Sequence, residues 1–145
     1  MVKENSPLNL YPSVRRGIGA LLEGDDSHGM AERSLICMML IRPIFIPVIA
    51  RSVGPGDFGL PARAIVAAEL FSQGDKATIH SVAEELGRKN AMGMGSGPWA
   101  VTLAAFLDWT VADDDIDGLC RSVVEGSIDR RSMTRGSNQT ARARA

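Results

Sequence analysis

Val14, Ile18, Leu21 and Leu22 recur at i, i+4, i+7 and i+8, the spacing of one helical face, so a first helix is predicted over Ser13–Glu23 with Gly24 as its stop. A loop at 24–29 leads into a second helix over Ala31–Ile41, where Pro43 forces a kink or an end, and a further helical piece follows as far as Val53. Pro61 stands where a helix begins, Val66 and Leu70 with Ala67 and Phe71 supply its buried stripe, and Gly74 its end. Ile79, Val82, Ala83 and Leu86 occupy i, i+3, i+4 and i+7, with Thr78 as the N-cap and Gly87 as the close. After a Gly-rich connector at 90–97, a helix from Pro98 buries Trp99, Leu103, Phe106 and Leu107. The pattern predicts a mainly α domain over 1–125, with at most a short β-hairpin between Trp109 and Met133.

The stretch Leu35–Ala50 is apolar on nearly every side, which marks either a buried core element or a surface between two copies. A spanning helix needs about 20 apolar residues, and here Arg42 interrupts the run while Pro43 and Pro47 break the hydrogen-bond ladder. No membrane insertion is expected. Nor does Met1–Pro12 carry a cationic segment leading into an apolar one, so a signal peptide is not expected either.

At 145 residues, with 45% hydrophobic and 5% aromatic residues, the chain can bury one core without disulfides or a structural metal. Cys37 and Cys120 lack the spacing of a metal or disulfide framework, which favours a reducing compartment and a cytoplasmic location. The net charge of −1 is unevenly spread: Asp108, Asp113, Asp114, Asp115 and Asp117 crowd one stretch, and from Arg121 onward six arginines face two carboxylates. The segment 126–145 therefore reads as a basic tail. A solvated disordered terminus is the commoner outcome for such an arm, and a phosphate-rich partner the other.

No catalytic, metal or cofactor constellation emerges. Asp113-x-Asp115-x-Asp117-Gly118 matches the opening of a calcium loop, but position twelve is Val124 where a bidentate Glu is required. His28 and His80 have no acid, thiol or hydroxyl at a spacing that defines a motif.

The segment TIHSVAEELG at 78–87, preceded by AIVAAELFSQGDKA at 64–77, resembles the first motif helix of winged helix-turn-helix regulators of the MarR-like kind. Asp129-Arg130-Arg131 resembles the tip of their β-hairpin wing. The resemblance implies a helix-turn-helix segment within 61–109 and a homodimeric regulator of transcription binding double-stranded DNA, with His80, Arg88, Lys89, Arg130 and Arg131 at the phosphates. The chain departs from the pattern in its long connector after Gly87 and in a following helix without Arg, Lys, Asn or Gln to read bases. The alternative is a non-catalytic helical interaction or dimerisation module in which the helix-turn-helix is vestigial.

Overall fold

The structure, a computed structural model, describes residues 12–23, 26–110, 112–113 and 115–144, with side chains as far as Ser132. Seven α-helices and no strand occur among them: α1 (Pro12–Leu22), α2 (Ser27–Ile41), α3 (Ile46–Ile49), α4 (Pro61–Gln73), α5 (Ile79–Arg88), α6 (Ser96–Trp109) and α7 (Ile116–Arg144). The closest partnerships are α5 with α6, α2 with α7 and α1 with α6, while α4 touches α1, α2 and α5 and so joins the pairs into one body.

Each predicted helix forms for the reason its spacing gives. Val14, Ile18 and Leu21 of α1 are buried, and so are Val66, Ala67 and Leu70 of α4, Val82, Ala83 and Leu86 of α5, and Trp99, Leu103 and Phe106 of α6. Thr78 caps α5: its hydroxyl accepts from the Ser81 amide at 2.9 Å, and the Ser81 hydroxyl accepts from the Thr78 amide at 2.8 Å. Gly74 follows α4 with φ 67°, as expected of its stop. The predicted stop of the first helix, Gly24, lies outside the described residues.

Several boundaries move, each for a physical reason. Helix α2 begins at Ser27, four residues ahead of the expected start, because the Asp26 carboxylate accepts from the Gly29 amide at 3.3 Å and caps it there. Its C-terminal part is buried on every side, from Leu35 to Leu40. Pro43 ends it, and the chain turns through a 3-10 turn at Pro43–Phe45 and the single turn α3. The connector after Gly87 is ordered by two contacts: Met94 is buried, and the Trp99 indole N–H donates to the Ala91 carbonyl at 3.0 Å. It turns tightly, with positive φ at Asn90, Met92 and Gly93.

The expected hairpin after Trp109 does not appear among the described residues; α7 occupies its place and runs unbroken across position 126, the predicted start of the basic tail. Leu119, Cys120, Val123 and Ser127 are buried at helical spacing against α2, and the Asp115 carboxylate accepts from the Gly118 amide at 3.1 Å at the helix start. Asp129, Arg130 and Arg131 therefore lie on a helix and form no wing tip.

Gly87 has a second use besides its place near the end of α5. A Cβ there would fall 2.1 Å from the Ser96 backbone nitrogen and 2.4 Å from its Cα, so only glycine lets α5 and α6 cross this closely. Because the obstacle is backbone, no rotamer relieves it. Gly87→Ala is expected to lower unfolding stability by about 1–3 kcal/mol, overriding the ~1 kcal/mol that alanine otherwise adds to a helix. Gly97→Ala in α6, where a Cβ meets nothing within 4 Å, is expected to raise stability instead. Urea unfolding of both variants checks the opposite signs.

Candidate functional site

The densest polar arrangement lies where α1, α2, α4 and α7 meet the segment 55–59. Glu32 of α2 and Arg63 of α4 are each 2% exposed, and Arg63 Nη1 donates to Glu32 Oε1 at 3.2 Å. The rest of the guanidinium serves the end of α1: Nε donates to the Leu21 carbonyl at 2.8 Å, and Nη2 donates to the Glu23 carbonyl. Glu32 Oε1 also accepts from the Gly59 amide at 2.9 Å, and Arg130 Nη1 of α7 faces Oε2 at 3.5 Å. Burial pushes the Arg63 pKa down, while Glu32 acts to hold it up. Gly59 leaves room for the guanidinium of Arg130, which a Cβ at 2.8 Å from Nη1 would push aside.

An open cleft of about 390 Å³ lies over this cluster. Its walls carry the carboxylates of Glu23, Asp26, Glu32 and Asp129 and the guanidinium groups of Arg63 and Arg130. With carboxylates in excess, the cleft repels phosphates and other anions. Glu32, Arg63 and Arg130 spend their charges on one another and on backbone groups, which makes the cluster a joint between helices.

One constellation escaped sequence reasoning altogether. His28 Nδ1 lies 3.2 Å from the Ser122 hydroxyl, and His28 Nε2 lies 3.5 Å from Asp129 Oδ2, an order of groups that resembles a hydrolytic triad. The acid of such a triad must be shielded to orient its imidazole, whereas the Asp129 side chain is 69% exposed. The three residues work as a tie between α2 and α7. No sequence signal could reveal it, because 94 positions separate His28 from Ser122.

The five residues expected at DNA phosphates fall into two groups. His80, Arg88 and Lys89 belong to α5 and its end, which packs on α6 and α4, whereas Arg130 and Arg131 belong to α7, which packs on α2 and the 55–57 turn. Every one of them faces a carboxylate. His80 Nε2 is 3.4 Å from Glu84, Lys89 Nζ is 2.9 Å from Glu69, and Arg131 Nη2 is 3.7 Å from Asp57. Arg130 faces Glu32 and donates to the Asp57 carbonyl at 2.5 Å. Arg88 pairs with Glu85, and the hydrogen bond holds the Glu85 carboxyl below its usual pKa and raises that of Arg88.

Cys37 and Cys120 are buried free thiols whose pKa values burial raises, so neither is an activated nucleophile. No group of three potential ligands suited to a metal ion occurs among the described residues. The calcium-loop resemblance touches Asp114, which lies outside them; Asp113 and Asp115 accept from backbone amides at the start of α7.

If the Glu32–Arg63 joint carries the packing, Arg63→Met should cost about 3–5 kcal/mol by stranding a buried carboxylate. Adding Glu32→Met to it should cost less than the two single losses together, a coupling that denaturant unfolding of the three variants measures. No protein-family model, no curated protein and no solved structure matches the chain, so its function has to be read from the geometry itself.

Proposed function

We propose that this chain is a non-catalytic helical module that binds protein through the aliphatic face where α2 turns into α3. The observation that carries the reading is the exposure of three aliphatic residues within eight positions: Ile41 at 50%, Ile44 at 72% and Val48 at 46%. The same run buries Leu35–Leu40, Ile46 and Ile49, so the apolar stretch supplies core on one side and an open face on the other. Pro43 and Pro47 create that division by turning the chain so that its outer side cannot fold back onto the core. Exposed aliphatic side chains this close along the chain favour association, and their burial supplies the driving force.

The location that fits this reading is the cytoplasm, where Cys37 and Cys120 stay reduced. No helix among the described residues is long and apolar enough to cross a membrane.

A regulator of the winged helix-turn-helix type is the second reading. It is favoured by the consecutive packing of α4, α5 and α6, with Thr78 capping α5 and the small residues Ala83 and Gly87 on or beside its buried face. Its phosphate contacts would have to be drawn from Arg88, Lys89, Arg130 and Arg131, each of which already faces a carboxylate.

Two measurements separate the readings. A photo-crosslinking amino acid placed at position 44 should give a discrete protein adduct in the cells that make the chain, and the absence of any adduct would sink the interaction module. Fluorescence titration with duplex DNA should show no salt-dependent affinity. A logarithmic salt slope of about −3.6, the value for four neutralised phosphates, would restore the regulator.

A further inference from the structure

We infer that the occupant of the aliphatic face is a second copy of the same chain, received head to tail in an acidic groove between α2 and the start of α7. The inference rests on the interaction reading above and names its partner.

The face has a definite charge. Arg42 lies between Ile41 and Ile44 and Arg51 follows Val48 in sequence, and Lys76 sits in the 74–76 turn that packs against the 43–45 turn and α3. Among the described residues none of these three cations has an ion-pair partner. Asp75 in the same turn offsets one of them. The face is thus an aliphatic knob with a positive rim.

The groove has the opposite character. It is an open depression of about 620 Å³ lined by Met30, Ala31 and Leu119 and by Asp113 and Asp115. Met30 is 54% exposed there, a large apolar side chain facing water without a partner. Asp113 and Asp115 each use a carboxylate oxygen to accept from a backbone amide, of Asp115 at 2.9 Å and of Gly118 at 3.1 Å, which fixes their charges in place. Asp117 in the first turn of α7 adds a third negative charge near this edge, while Arg121, one turn on, opposes it.

Knob and groove match in both terms that govern docking, apolar centre and charged edge. A single copy cannot satisfy both. Met30 lies in the first turn of α2 and Ile41 is its last residue, so eleven residues of helix, about 16 Å, hold the two surfaces apart. Two knobs facing each other would gather Arg42, Arg51 and Lys76 of both copies in one interface, and two grooves would do the same with Asp113 and Asp115. Like charges opposed in this way disfavour the symmetric pairings. Knob into groove is the pairing that remains, and as a heterologous contact it builds a closed ring or an open chain of subunits.

The test uses two variants at exposed positions. Ile44→Asp spoils the knob, and Met30→Lys with Asp113→Asn spoils the groove while leaving an oxygen to accept from the Asp115 amide. Circular dichroism and thermal melting confirm that both fold; Val48→Asp replaces Ile44→Asp if that variant does not. In sedimentation velocity at low ionic strength, the mass of the unmodified chain should rise with concentration beyond two copies and fall on adding salt. Each variant alone should lose association by about tenfold or more. Their mixture should form a 1:1 complex and nothing larger, because one supplies an intact groove and the other an intact knob. A mixture that stays monomeric overturns the inference, as does a groove variant that still dimerises through its knobs. If the unmodified chain is monomeric at every concentration while position 44 crosslinks to a different protein, the second copy is refuted and the interaction module stands.

Discussion

The guanidinium of Arg63 is the group on which the arrangement of helices turns. It is only 2% exposed, and from α4 it reaches two further elements at once: the end of α1 through the carbonyls of Leu21 and Glu23, and α2 through Glu32. A buried cation of this kind is costly to desolvate, and the cost is recovered only when all its hydrogen-bonding directions are filled. Satisfying them fixes where α1 must stop and how α2 must lie against α4. Arg130 and the Gly59 amide then complete Glu32 from the other side and bring α7 and the 55–59 segment to the same joint. An apolar core of equal volume could hold the helices together as firmly.

The helices most legible in the sequence are those whose buried face repeats cleanly. The stripes of α1, α4 and α5, with Thr78 at the head of the last, can be read because the signal is confined within one turn or two. What could not be read depends on contacts that span the chain. Gly87 reads equally well as a helix stop, and its fit against Ser96 is a property of two helices at once. The connector at 90–95 looks loose from its glycines, yet Trp99 and Met94 secure it from outside the segment. In α7 the apolar positions are few and the surface is highly charged, so Leu119, Cys120 and Val123 stand out as a stripe only once α2 is beside them.

The same limit applies to chemistry. Arginines and lysines are visible in a sequence, but their partners are not: Lys89 meets Glu69 across 20 positions and Arg130 meets the Asp57 carbonyl across 73. A basic residue whose charge is engaged at home is a weaker phosphate ligand than its count suggests, since binding has to break one ion pair to make another. Conversely, the apolar run at Leu35–Ile49 was legible as something to be covered, and its division into a core side and an open side follows from two prolines whose effect on direction only the fold displays.

The capping of α1 by side chains far along the chain also bears on how the protein is made. Eleven residues are too few for a helix to persist in water by itself, and the last carbonyls of α1 are held by Arg33 and Arg63, 11 and 42 residues downstream of Leu22 and Leu21. During synthesis α1 therefore has no settled end until α4 has followed it. Its apolar stripe of Val14, Ile18 and Leu21 waits uncovered meanwhile, and still longer for α6, against which it finally packs. Helix α1 is thus made well before the elements that stabilise it, and its apolar stripe needs shelter for that interval.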